Sequence, residues 1–157
     1  MDASSNGVNL EHEAIVVRTL RLEDCPRLAK IDEAITGRSR ALWLENKVKR
    51  ALKEADVALS VGAERDGLLV GALMCTVQFG EFGLFEPLAV LDTVLVDPKL
   101  AGQGIATAML EQLLANLRGL RVLRLRTEVD WNELDLVAFF EKSAFVPVPR
   151  LVLEREV

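Results

Sequence analysis

The stretch Leu88-Ala89-Val90-Leu91-Asp92-Thr93-Val94-Leu95-Val96 constrains the fold more than any other part of the chain. It is apolar except at Asp92 and Thr93, and such a nearly continuous run reads as a strand buried on both faces. This is the expected central strand. An ionisable residue inside it needs a reason, because a carboxylate enclosed without a hydrogen-bond partner is costly. Asp92 is therefore a candidate for chemistry.

The segments around this strand alternate in type. Ala14 to Thr19 reads as a short strand, and Asp24 is placed to cap a helix carrying Leu28, Ile31 and Ile35 at helical spacing and ending near Gly37. Residues 38–54 hold Leu42, Leu44, Val48 and Leu52 among charges, the pattern of a second amphipathic helix. Val57 to Ala63 and Leu68 to Phe79 are rich in strand formers, and the Asp66-Gly67 pair between them predicts an antiparallel hairpin. Beyond Asp97-Pro98 a short glycine-containing turn leads to a helix with Ile105, Met109, Leu110, Leu113, Leu114 and Leu117, ended near Gly119. Val122 to Val129 alternates as a strand does, Glu133 to Ser143 reads as a last helix, and Phe145 to Glu156 as a terminal strand pair broken at Pro147 and Pro149. The order predicts a mixed α/β layered domain over residues 14–157, behind a disordered leader of residues 1–13.

Composition narrows the function. The net charge of −5 repels phosphate backbones and anionic lipid, which argues against nucleic acid and membrane as main partners. With no long apolar run and no secretory leader in the sequence, a cytoplasmic protein is expected. Cys25 and Cys75 lack any zinc or redox spacing and read as ordinary reduced thiols. His12, the sole histidine, falls in the leader, which argues against Ser-His-Asp catalysis and His-based metal sites, so no metal is expected.

The chemistry concentrates between Val94 and Thr107, where the buried strand passes through small residues into a helix. Such a junction aims unpaired backbone N–H groups and the positive end of a helix dipole at one point, which makes an anion site. Gly102, Gly104 and Ala106 let a phosphate approach the backbone. No Walker Lys-Ser/Thr pair is present, and Gly102-Gln103-Gly104 lacks the third glycine of a dinucleotide fingerprint.

This strand, turn and helix resemble the coenzyme A pyrophosphate loop of the GNAT acetyltransferases. The family pattern of Arg or Gln, two residues, Gly, one residue, Gly or Ala falls on Ala101, Gly104 and Ala106, with Ala101 departing from it. A second likeness runs from Asn132 through Phe139-Phe140-Glu141-Lys142-Ser143-Ala144-Phe145, similar to the family's last helix, with Phe140 where Tyr is usual and Ala144 where Gly is usual. The resemblance implies a mixed, mostly antiparallel central sheet flanked by helices. It implies acetyl-CoA as cosubstrate, held by Val94, Leu95, Val96, Ala101, Gly102, Gln103, Gly104, Ile105, Ala106, Thr107, Asn132 and Phe140. It also implies a splay between the central strand and Val122 to Val129 that exposes backbone groups to the pantetheine arm.

The implied reaction is direct attack of a primary amine, on a small molecule or a protein, on the thioester. An alkyl amine of pKa about 10.4 is neutral in only about one part in two thousand at pH 7, a cost of roughly 4 to 5 kcal/mol, whereas a thiolate of pKa about 8.5 costs roughly 2 kcal/mol. A base therefore matters more than an acid, and a chain without tyrosine can still perform the step. Asp92 and Glu81 are the candidate catalytic carboxylates, with Glu86 nearby. Arg38, Arg40, Lys47, Lys49 and Arg50 make the second helix region basic, as a solvated face or as a site for an acceptor with a carboxylate. Trp43 and Trp131 read as packing residues. The alternative function is a non-catalytic acyl-CoA-binding module, and the resemblance implies that a homodimer paired through the sheet can form.

Overall fold

The computed structural model describes residues 14–53, 59–83 and 85–157; the expected leader, with His12, lies outside them. The chain forms two units, Met1–Thr127 and Glu128–Val157.

The first unit is built on a five-stranded sheet in the order β1-β2-β3-β4-β5. Its strands are β1 (Val16–Thr19), β2 (Val61–Arg65), β3 (Leu68–Gln78), β4 (Leu88–Val96) and β5 (Leu125–Arg126). Every neighbouring pair is antiparallel except β4 and β5, which are parallel. The β2–β3 hairpin turns on Asp66 at φ 54° and Gly67 at φ 72°, the two positive dihedrals a type I′ turn demands.

Helices cover both faces of this sheet. On one side α1 (Cys25–Thr36) and α2 (Ala41–Lys53) bring Leu28, Ile31, Leu44 and Val48 onto Ala72, Met74 and Leu95. On the other lies α3 (Ile105–Gly119), and there Gly71 matters. A β-carbon at Gly71 would stand 2.8 Å from the Leu95 carbonyl oxygen and 3.0 Å from Met109 Cε, so only glycine lets α3 approach so closely. Residues 71 and 72 alternate across the pleat, which is why their neighbours belong to opposite layers.

Several elements differ from the sequence expectation. Asp24 stands at the N-cap position of α1 as expected, but in a helical conformation at the end of a 3-10 turn, Leu22–Asp24, and its side chain makes no capping bond to α1. Its buried carboxylate instead accepts two bonds from Arg18, at 2.8 and 2.7 Å, and one from the Arg21 N–H. The second helix is Ala41–Lys53 rather than 38–54, and the strand expected from Val57 begins at Val61, with residues 57 and 58 outside the described set. The alternating stretch Val122 to Val129 pairs only at Leu125 and Arg126. Alternation specifies which face a side chain takes, but a strand also needs a partner, and β4 offers one only along its first half.

In the second unit, α4 (Leu134–Lys142) forms as expected. Its end is a Schellman motif: the Phe145 N–H donates to the Phe140 carbonyl and the Ala144 N–H to that of Glu141, both at 3.0 Å, with the Phe140 and Phe145 rings 4.8 Å apart. The expected strand pair over Phe145 to Glu156 does not form among the described residues. Pro147 and Pro149 remove ladder donors from that segment, and the Arg150 N–H turns back to the Val148 carbonyl at 2.8 Å. Trp131 is 98 % exposed and is not a packing residue.

Candidate functional site

Two features lie along β4, one beyond its C-terminal end and one at its middle. At the end, Asp97 closes a one-turn 3-10 segment, Pro98–Leu100, by accepting from the Lys99 N–H at 3.0 Å. The chain then passes through Gly102 at φ 74° and Gly104 at φ 80° into α3. Gly104 gives its carbonyl to Ala108 at 3.0 Å, so the N–H groups of Ile105, Ala106 and Thr107 are the orphan donors of the first helical turn. Among the described residues the N–H groups of Gly102, Gln103 and Gly104 also have no backbone acceptor. A β-carbon at either glycine would meet no atom within 4 Å, so open space lies before these amides. That is the geometry an anion needs. Arg65, from the β2–β3 hairpin, donates to Gln103 Oε1 and sets a guanidinium beside the loop where Ala101 is exposed.

The middle of β4 carries a β-bulge. Thr93 pairs with Met74 and Leu91 with Cys75, leaving Asp92 as the extra residue. The strand is therefore not buried on both faces here, as its apolar run suggested. Asp92 is 43 % exposed, bonded to Thr93 Oγ1 at 2.7 Å and to Lys47 Nζ of α2 at 3.0 Å. It opens on a pocket of about 130 Å³ lined by Lys47, Arg50, Ala51, Met74 and Thr76.

The bulge also redirects the backbone. Before it, the Ala89 N–H donates to Arg124 O at 2.9 Å and Leu91 O accepts from Thr127 Oγ1 at 2.9 Å, so odd residues face β5. After it, the Asp97 N–H donates to Val70 O at 2.8 Å, so odd residues face β3 and the N–H groups of Val94 and Val96 face the other edge. Ladder pairing to β5 stops at Val90. Among the described residues the central strand thus presents unpaired donors between the Asp92 pocket and the glycine loop, the splay that the family resemblance implied.

The model of the acetyltransferase (GNAT) family matches residues 20–145. The chain belongs to the GNAT family. Solved GNAT-fold structures agree in architecture. An aminoglycoside N-acetyltransferase in complex with CoA superposes with TM-score 0.77 at 13% identity, covering 92% of this chain and 95% of that one. A ribosomal-protein-alanine N-acetyltransferase from Brucella melitensis biovar Abortus 2308 gives 0.71 at 18% identity, over 91% and 100%. A transcriptional regulator from Bacillus halodurans C-125 gives 0.76 at 15%, over 92% and 100%. At these identities the likeness is one of fold. No match was found among curated proteins.

The remaining candidate residues of this GNAT chain are distributed as follows. Leu95 is buried in the core, whereas Val94 and Val96 are half-buried. Glu81 opens a 3-10 turn, Glu81–Gly83, whose side-chain surroundings at Glu81 lie outside the described set. Glu86 is exposed and stands 3.5 Å from Arg124. Asn132, in the turn before α4, and the buried Phe140 belong to the second unit, where Phe140 packs on Phe139 and Phe145. The basic cluster separates by role: Arg40 pairs with the buried Asp32 and Lys49 with Glu45, while Lys47 and Arg50 line the pocket. Sequence reasoning missed Met74 and Thr76, which reach the pocket only because β3 pairs with β4 in this register. Trp43 is half-exposed, and Arg40 and Lys47 lie over its ring at 4.4 and 5.3 Å, so it steadies two cations.

Both cysteines are buried and free. Burial pushes the Cys75 thiol up to about 12, and the charge of Asp92 adds to the effect. Cys75 is therefore a neutral thiol at physiological pH. Among the described residues no group of His, Cys, Asp or Glu is arranged to hold a metal, and no helix is long and apolar enough to cross a membrane.

Proposed function

We propose that this GNAT chain is an acetyl-CoA-dependent N-acetyltransferase acting by direct attack of a primary amine on the thioester. The observation that supports it is the layout of β4, with an anion loop after Val96 and a bulged carboxylate upstream at Asp92. The five residue-to-residue steps from Asp92 to Asp97 span roughly 16 Å at about 3.3 Å each. That length suits a pantetheine arm with its pyrophosphate at the loop and its thioester beside Asp92.

In this reading Gly102 to Thr107 supply amides to the pyrophosphate, and the Val94 and Val96 N–H groups bond the arm and the developing oxyanion. Asp92, directly or through an ordered water, takes the proton that an ammonium acceptor must lose, the larger of the two protonic barriers. Before the acceptor binds, Lys47 holds the Asp92 carboxylate in place. Cys75, kept neutral, is not a nucleophile for a covalent acyl-enzyme, which favours attack by the amine itself.

The absence of tyrosine from the chain, and Phe140 at the position where the family has one, favour a second reading as a non-catalytic acyl-CoA-binding module. One pair of assays separates the two: thiol release from acetyl-CoA over a panel of amines, with the natural chain and with Phe140→Tyr. The enzyme reading expects turnover by the natural chain and a change of no more than about tenfold on adding the hydroxyl, which addresses a barrier of only roughly 2 kcal/mol. Silence from the natural chain with activity in Phe140→Tyr would establish the binding module instead.

A further inference from the structure

The pocket beside Asp92 also carries information about the acceptor. Its charged lining residues are Lys47, Arg50 and Asp92, two cations against one carboxylate. The Lys47 ammonium is fixed from two sides, by Asp92 at 3.0 Å and by the Trp43 ring at 5.3 Å. It is not a loose surface charge: its side chain is 19 % exposed, against 43 % for Lys49 on the same helix. Arg50 lies one helical turn further along the same face of α2, so both cations point into one volume.

From this arrangement we infer that the acceptor is an amino acid with its amine and carboxylate close together, whose carboxylate is held by Lys47 and Arg50 while its amine meets Asp92. The inference rests on the acyltransferase reading and deepens it. The argument is one of charge and spacing. An amino acid enters as a zwitterion, its ammonium toward Asp92 and its carboxylate toward Lys47 and Arg50, and once the ammonium has passed its proton to Asp92 the ligand's single negative charge faces the two cations. A polycationic acceptor would bring further positive charge against Lys47 and Arg50, which costs affinity. The opposite charges of the pocket stand 3.0 Å apart, so a ligand that exchanges this ion pair for two of its own must carry amine and carboxylate only a few bonds from each other.

The test compares glycine, alanine and β-alanine with their methyl esters and with a polyamine, as thiol release from acetyl-CoA. Intrinsic reactivity favours the esters, whose amines are less basic and more often neutral, so a preference for the free acids must come from the protein. The expected result is a kcat/KM at least tenfold higher for an acid than for its ester, with the ratio collapsing toward one in Arg50→Gln. Equal or better use of the ester or the polyamine would overturn the inference. A second arm is independent of turnover: calorimetric binding of N-acetylglycine and N-acetylalanine, against their methyl esters, to the protein with CoA. If no amine releases thiol but the N-acetyl acids bind at least tenfold tighter than the esters, the acyltransferase reading fails and the carboxylate site stands. Equal binding of acids and esters would remove the site.

Discussion

The glycine loop lies beyond the end of the strand whose middle carries Asp92, yet the two sites are made in different ways. The loop is backbone: its donors are amides, its shape comes from positive φ at Gly102 and Gly104, and every part is contiguous in sequence. The pocket is side chains, from α2, β3 and β4, brought together by a ladder register and a bulge. A site of the first kind should tolerate almost any change that keeps the dihedrals. A site of the second kind depends on each residue that reaches it.

Substitutions at the two sites sharpen this contrast. The largest effect is expected from Asp92→Asn, which keeps the size and the Thr93 bond but removes the proton acceptor. It should lower kcat by about 10²–10⁴-fold and leave CoA affinity within about twofold, as steady-state kinetics and calorimetry would record. A kcat within threefold of the natural chain would mean that solvent alone deprotonates the acceptor.

Gly104→Val should act on the other side of the comparison, costing about a hundredfold in CoA affinity. A β-branched residue avoids φ near 80° and would turn the amides away. The fold itself should survive, because no atom lies within 4 Å of the new β-carbon. Normal CoA binding by a folded variant would reduce the loop to an ordinary turn.

Outside the site the same contrast reappears in stability. Arg18 and Asp24 are a side-chain feature, nearly enclosed at 17 % and 8 % side-chain exposure. Burial raises the Asp24 carboxyl, but the Arg18 bonds and the Arg21 N–H more than offset it and hold the group below its ordinary range. A depressed folded-state pKa means that the stabilisation is fully present above the unfolded value of about 3.9 and is lost as pH falls through the folded one. Asp24→Asn should therefore cost about 2–4 kcal/mol at pH 7, with the gap to the natural chain closing below about pH 4 in urea titrations. A gap independent of pH would mean that the pair contributes by shape alone.

The smallest effect belongs to a backbone feature. Ala144 occupies φ 63° at the end of α4, where a glycine is free of β-carbon strain, so Ala144→Gly should stabilise the chain by about 1 kcal/mol. A loss of stability would show that the alanine methyl is needed for packing. The same dihedral explains why the family pattern has glycine there: the position is a helix cap.

The sequence was informative wherever a feature is set by neighbours along the chain. The Asp66-Gly67 hairpin, the helix stop at Gly37, the loop at Gly102 and Gly104 and the helices α1, α3 and α4 all follow from dihedral preference or periodicity, which act over a few residues. It was less informative where the outcome depends on a partner. Asp24 reads as a helix cap, but Arg18, on the preceding strand, claims its carboxylate. Val122 to Val129 reads as a full strand, but pairing stops after Arg126. Phe145 to Glu156 reads as a strand pair, and Pro147 and Pro149 take away the donors such a pair needs. Asp92 stood out within an apolar run, yet only the bulge opposite Met74 turned it outward and gave it Lys47. Local torsional energies are written residue by residue and can be read that way; the bulge, the ion pair and the pocket are decided by strand register and helix packing, which join residues that the sequence keeps far apart.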